Sequence, residues 1–517
     1  MDTLYPAFQQ AAARFGAGIA IRDGDVSISW NELERLSRRA ARALLSLGLE
    51  AGDCTSIWAT NHWRWPVTGL AGQAAGATLI PASTRLKAPE IADFLRRAKA
   101  KILFCDPGFG SYDFVSTIAA EDLPDLRHII VFDDVASAGR VMGWDSFLAH
   151  DAASDAALDA RIASIRPDAV ADIIFTSGTT GQPKGVPMTH AQSLIACEQQ
   201  DRCVSRFVAG DVFAVTLPFA HNAGYRAGWQ AAVLSGVTIV PVRSYDTLDL
   251  IKLIDREKVS VIPAVPTIFQ AILDHPDRER YDLGSIRLAL TGATTIPVAL
   301  IEQMQAVFGV DAVSTGYGLT EAAGSVTHTR PGDAAATIAT TVGRPLDNLE
   351  VVLVDREHRP VAPGGTGEIA VRGPQVMMGY YQDEEANRTA FTSGGFLLTG
   401  DVGVLDADGN LSITDRIKDV YLVGGFNAYP AEIEQRLRTL DGVADVAVIG
   451  VDDDRLGQVG KAFIIRRDGA SLDAETVIAW CRHNMANYKV PRTIAFVDDL
   501  PRNATGKVSK VELRAMA

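Results

Sequence analysis

Residues 173–186 read IIFTSGTTGQPKGV. Between Thr176 and Val186 stand four hydroxyl side chains (Thr176, Ser177, Thr179, Thr180), three glycines (Gly178, Gly181, Gly185) and one lysine, Lys184. The segment follows directly on an apolar run, 170–175, which reads as a strand. A strand that ends in such a loop offers unhindered N–H groups, hydroxyl donors and one cation to an anion, a combination suited to a polyphosphate. It is not the G-x-x-x-x-G-K-[ST] loop of many nucleotide-binding proteins, because Pro183 stands five residues after Gly178 and Lys184 is followed by Gly185.

Working outward, four further motifs follow in order: GYGLTE (316–321), TGD (399–401), ITDRIKDVYLVGGFNAYPAEIE (413–434) and PRNATGK (501–507). Together with the first loop they resemble the adenylate-forming superfamily of acyl-CoA synthetases, firefly-type luciferases and peptide-synthetase adenylation domains. The resemblance spans most of the chain. It implies an enzyme that uses ATP and Mg²⁺ to turn a carboxylic acid into an acyl-adenylate, and passes the acyl group to coenzyme A.

Size and composition set independent bounds. A chain of 517 residues exceeds one hydrophobic core, so two or more units are expected. Charged residues at 22% and hydrophobic ones at 47% describe an ordinary globular protein. A net charge of −14 argues against a nucleic-acid partner, which calls for a basic face. The N-terminus lacks a basic start with an apolar core behind it, and no stretch has the length to cross a bilayer. A cytoplasmic protein is expected, working on a small-molecule acid as a monomer or homodimer. Five cysteines without a C-x-x-C pair suit buried or idle thiols in a reducing compartment.

Apolar runs alternate with helix-period segments through the middle of the chain. Residues 237–242, 260–266, 286–293 and 311–318 read as strands, and 246–259 and 297–309 as helices. That alternation predicts parallel sheets covered by helices, with ligands at the carboxyl ends of strands. Residues 364–381 suggest a small β-rich unit, and after about residue 415 a compact α+β unit follows. The expected fold is therefore a large α/β N-terminal domain, parallel sheets plus a small β-rich subdomain, and a small mobile α+β C-terminal domain. The resemblance places the boundaries at 1–414 for the adenylation domain, 415–418 for a hinge and 419–517 for the mobile domain.

The resemblance also assigns roles. Thr176, Ser177, Gly178, Thr179, Thr180 and Gly181 hold the β- and γ-phosphates with Lys184. Gly292, Ala293 and Thr294 lie beside adenine and the acyl chain. Gly316 and Tyr317 pack on adenine, Thr320 touches the α-phosphate and Glu321 holds Mg²⁺ on ATP; magnesium's preference for carboxylate and phosphate oxygens agrees. Asp401 and Arg416 reach the ribose. Lys507 enters the site to bridge the attacking carboxylate and the α-phosphate. Such a cation stabilises mainly the transition state. Lys418 is the pivot that withdraws Lys507 and brings in the loop Gly424, Gly425 and Phe426 to form the pantetheine tunnel, with Asn427 near AMP. His221 gates the path between acyl pocket and tunnel.

Segment 222–229 (NAGYRAGW) is expected to line the acyl pocket. The small residues Ala223, Gly224, Ala293, Ala322, Ala323 and Gly324 leave room for a bulky acid. Arg226 is expected to face solvent rather than a polar group, and His190 to be structural. Finer texture, in PFAHNAGYRAG, PTIFQAILDHP and LTGATTIPVALIEQMQ, resembles a bacterial subgroup that activates a propionate borne on a bicyclic steroid remnant. Medium-chain fatty acids and aryl or alicyclic acids are the runners-up. A carrier-loading adenylation domain, the alternative of another class, would show an acidic residue in 217–225, and none is there.

Overall fold

The structure is a computed structural model and describes residues 3–176, 183–292, 296–308, 312–416, 419–423, 426–453, 455–502 and 508–517. Ser177, Gly178, Thr179, Thr180, Gly181, Ala293, Thr294, Lys418, Gly424, Gly425 and Lys507 lie outside them. Two compact units emerge: Met1–Glu350 with Val371–Leu397, and Val351–Ala370 with Leu398–Ala517. Residues 351–370 and 398–414 thus group with the C-terminal residues, whereas the motif-based boundary at 414 sets them with the N-terminal ones.

The first unit holds two large sheets. In the seven-stranded one the order is Lys184–Thr189, Val170–Thr176, Thr78–Ala82, Cys54–Trp58, Ile102–Cys105, His128–Val131 and Val141–Gly143. All neighbours are parallel except the first pair, an antiparallel hairpin in which Thr176 faces Lys184. In the nine-stranded sheet, Val261–Pro263, Leu288–Gly292 and Ala312–Tyr317 run parallel side by side. The last of these pairs antiparallel with Thr327–His328. The parallel strands are sequence-local apolar runs buried on both faces, as helix-covered sheets require.

Helix ends follow their caps. Ser29 accepts from the Glu32 N–H at the start of Trp30–Ser46, and Thr189 and Gln192 form a reciprocal capping box at the start of His190–Gln199. The segment Tyr225–Gln230 is instead a wide π turn broken at Gly228; such turns occur often at functional sites.

The second unit contains a four-stranded sheet, ordered Glu350–Val354, Thr366–Arg372, Leu397–Leu405 and Leu411–Arg416. It also contains a sheet centred on the long antiparallel pair Val443–Asp453 and Gly457–Arg466, with Thr493–Phe496 parallel to the latter. Helices Pro430–Leu437 and Ala474–Asn484 complete it, so the α+β texture read from the sequence is what forms. The helix Pro430–Leu437 starts with proline, and the Ala431 N–H donates to Asp415 Oδ2 at 2.6 Å. All five cysteines are buried free thiols. Among the described residues no helix is long and apolar enough to cross a membrane.

Candidate active site

The hairpin of Val170–Thr176 and Lys184–Thr189 fixes the two ends of the segment that joins them. Thr176 and Lys184 are cross-strand partners, and the Thr176 hydroxyl donates to the Lys184 carbonyl at 3.3 Å. Lys184 therefore leaves the sheet beside the strand end that feeds the loop. Its ammonium lies 4.8 Å from the centre of the Tyr380 ring. The Tyr380 hydroxyl donates to Glu321 Oε1 at 3.0 Å. Burial first, and then the Glu321 charge, push the Tyr380 phenol well above its ordinary range, so it stays a donor. Lys184, Tyr380 and Glu321 thus form one cation–ring–carboxylate row. The Met377 N–H donates to the Glu321 carbonyl and the Tyr381 N–H to the Gly185 carbonyl, which pins the 376–381 segment to both motifs. Tyr380 went unnoticed in the sequence; its place in GYY, just after a β-rich stretch, carried no chemical signal.

At the carboxyl ends of two parallel strands Gly292 faces Gly316, and Thr291 faces Thr315. Tyr317 follows, buried and paired with Thr327, and Thr320 and Glu321 begin a single 3-10 turn. The missing side chain of Gly316 makes room for the His328 ring, since a Cβ there would lie 2.4 Å from His328 Cε1. In the second unit Asp401 and Arg416 are directly opposed on adjacent strands, so the two motifs that carry them are neighbours in one sheet. The same unit carries the backbone of Phe426 and Asn427 in the strand Phe426–Ala428, paired with Tyr421–Val423.

The acyl segment departs from expectation. Arg226 does not face solvent: it is 1% exposed and buried with Asp172, itself 0% exposed. Its guanidinium donates to the Asp172 carboxylate, to Asn222 Oδ1 at 2.7 Å and to Ser193 Oγ at 3.1 Å. Burial pushes the Asp172 carboxyl upward and the Arg226 charge opposes that push. The sequence failed here because an arginine in a small-residue segment shows nothing of a carboxylate on a distant strand. Tyr225 and Trp229 likewise turn into the core, where they pack edge-on with Trp65.

Gly224 also offers no space to a ligand, since a Cβ there would lie 2.2 Å from the Pro218 carbonyl oxygen. Its missing side chain is consumed by the backbone of 217–218. Ala223 stays half-buried, and Ala322, Ala323 and Gly324 form the turn after Glu321. Gln375, fully buried, braces that turn by donating to the Ala322 and Ser325 carbonyls at 3.1 and 2.9 Å. His221 is exposed and caps the short turn Asn222–Gly224 through Nδ1. His190 is structural: its Nδ1 accepts from the Leu4 N–H, and burial lowers its pKa to about 4.

The AMP-binding enzyme family model matches residues 8–381, and that of the AMP-binding enzyme C-terminal domain matches residues 432–507. The chain belongs to the AMP-binding enzyme family. This AMP-binding enzyme is 46% identical, over 92% of its length and 91% of the relative's, to 3-[(3aS,4S,7aS)-7a-methyl-1,5-dioxo-octahydro-1H-inden-4-yl]propanoyl:CoA ligase of Mycobacterium tuberculosis. It is 43% identical to the protein of the same name from Rhodococcus jostii, over 98% and 97% of the two chains. Among solved structures it resembles an anthranilate CoA ligase in complex with anthranoyl-AMP, with TM-score 0.85, 25% identity and coverage of 99% and 97%. ATP-bound MatB from Rhodopseudomonas palustris matches equally well, with TM-score 0.85, 27% identity and coverage of 100% and 99%.

An AMP-binding enzyme of this type is an ATP-dependent acid–CoA ligase that works through an acyl-adenylate, with ATP, Mg²⁺ and coenzyme A. The residues present fit that requirement. Glu321 keeps Oε2 without a hydrogen bond among the described residues, an oxygen donor suited to a magnesium ion. Lys184 has no carboxylate within ion-pair distance among the described residues, so its charge is available to an anion.

Proposed function

We propose that this ligase activates a ring-bearing propionate, the bicyclic dione propionate named for its two bacterial relatives, and that it does so in the cytoplasm as a monomer or homodimer. The observation that carries the substrate is the 46% and 43% identity to those two relatives across nearly the whole chain. The braced turn Ala322–Gly324 supports it, because a wall held by Gln375 keeps a fixed shape for a rigid acid.

In this reading Lys184 and the loop 176–181 hold the polyphosphate, Glu321 carries the magnesium, and Thr320 and Tyr317 seat the α-phosphate and adenine. Asp401 and Arg416 take the ribose. Lys507 aligns carboxylate and α-phosphate, an arrangement of charge that lowers the barrier chiefly by positioning and electrostatics. Rotation at 415–418 about Lys418 then exchanges the Lys507 loop for the loop of Gly424, Gly425 and Phe426, and His221 opens the way to the thiol. The test is a panel of carboxylic acids with ATP and CoA, followed by pyrophosphate release and thioester formation. The dione propionate should lead in kcat/KM; a lead by unbranched medium-chain acids refutes the proposal.

A further inference from the structure

Asn387 holds Tyr380 by its backbone. Its Oδ1 accepts from the Tyr380 N–H at 2.6 Å, and its Nδ2 donates to the Tyr380 carbonyl at 3.1 Å. A backbone N–H only donates and a carbonyl only accepts, so the two contacts fix which way the amide is turned.

The local sequence brings Asn387 there. After Tyr381 the chain turns at Gln382, with φ of +51°, and enters the helix Glu384–Ala390, whose start Asp383 caps by accepting from the Ala386 N–H. Within that helix Asn387 reaches back to the segment before it. A Cβ on Gly379 would lie 3.0 Å from Asn387 Oδ1, so the bare position ahead of Tyr380 lets the amide come this close. Asparagine is a mediocre helix former, and its amide here serves Tyr380 rather than the helix.

The Tyr380 hydroxyl donates to Glu321 Oε1 at 3.0 Å, and its ring lies 4.8 Å from the Lys184 ammonium. Both contacts depend on where the Tyr380 backbone sits. We propose that Asn387 is a positioning residue for adenylation, one that acts by holding the Tyr380 hydroxyl on the magnesium carboxylate. This rests on the reading of Glu321 as that carboxylate. A shift of about 1 Å in such a supporting group is enough to slow a reaction many-fold.

The experiment follows pyrophosphate release against magnesium concentration, at fixed ATP and acid, in the wild type, Asn387→Ala, Tyr380→Phe and the double variant. Alanine is the best helix former, so Asn387→Ala keeps the helix and removes the amide. Asn387→Asp, which keeps an acceptor for the Tyr380 N–H, is the second variant, and thermal unfolding accompanies both. Expected in Asn387→Ala is a rise of about five-fold in the magnesium concentration at half-maximal rate, the factor that one lost hydrogen bond supplies. Asn387→Asp should show a smaller rise. In the Tyr380→Phe background, Asn387→Ala should add less than about two-fold, because the two act on one contact. Wild-type magnesium dependence in both Asn387 variants, or effects that multiply in the double variant, overturns the positioning role and leaves Glu321 standing. If Glu321→Gln and Tyr380→Phe both leave the magnesium dependence unchanged, the reading of Glu321 fails first, and the inference with it.

Discussion

The Tyr380 hydroxyl donates to the Glu321 carboxylate at 3.0 Å while the Tyr380 ring supports the Lys184 ammonium. One side chain thus sets the geometry of both a carboxylate and a cation drawn from motifs far apart in the chain.

Tyr380→Phe keeps the ring beneath Lys184 and removes only the donor to Glu321. A hydrogen bond to a charged group contributes about 1.5–3 kcal/mol. Adenylation, read as pyrophosphate release, should therefore lose about ten-fold or more in kcat/KM, with a higher magnesium concentration at half-maximal rate. Glu321→Gln should raise that concentration further. An unchanged magnesium dependence in both variants would remove Glu321 from the metal.

The two half-reactions should separate. Lys507→Ala is expected to abolish acyl-AMP formation while conversion of supplied acyl-AMP to the thioester persists. Lys418→Pro should do the reverse, because proline fixes φ and resists rotation at the hinge. Equal loss of both steps in both variants would break the assignment.

Arg226→Met should destabilise the first unit by about 3–5 kcal/mol, the cost of leaving a buried carboxylate uncompensated. Adding Asp172→Leu removes that carboxylate and should restore most of the loss. Urea unfolding of the single and double variants measures it. A double variant no more stable than Arg226→Met would mean that the pair acts through packing alone.

His190 should give the stability curve an acidic slope. Its folded pKa is lowered from 6.5 to about 4, so between those values the unfolded chain binds a proton that the folded chain does not. Stability contributed by neutral His190 is present above pH 6.5, falls as pH drops towards 4, and has declined by about 2 kcal/mol at pH 5. His190→Gln can keep an acceptor for the Leu4 N–H and should flatten that slope. Urea midpoints at pH 7 and pH 5 report the difference.

Much of this was legible in the sequence, for local reasons. Apolar runs became strands, as at Leu288–Gly292, and the helix-period segment 297–309 became the helix Val298–Phe308. Asp401 and Arg416 were read from separate motifs, and in the fold they stand opposite each other on neighbouring strands. Tertiary partnerships were not legible. Arg226 sits among small residues and meets Asp172 on a strand 54 positions away. Tyr380 reaches Glu321 across 59 positions. Gly224 read as open space because a missing side chain looks the same whether backbone or ligand fills the gap.

The buried thiols have a consequence for the chemistry itself. An acyl-adenylate is a mixed anhydride that any ready sulfur nucleophile would intercept. Burial raises the pKa of Cys54 and Cys481 to about 11 and of Cys197 to about 12, and raises that of Cys105 still further, so none of these forms a thiolate near neutrality. Cys203 is buried with them. None of the chain's own thiols therefore competes with the sulfur that arrives on coenzyme A for the activated acyl group. The same fact means that a thiol-reactive dye, added to the native enzyme at work, should count free CoA with little background from the protein.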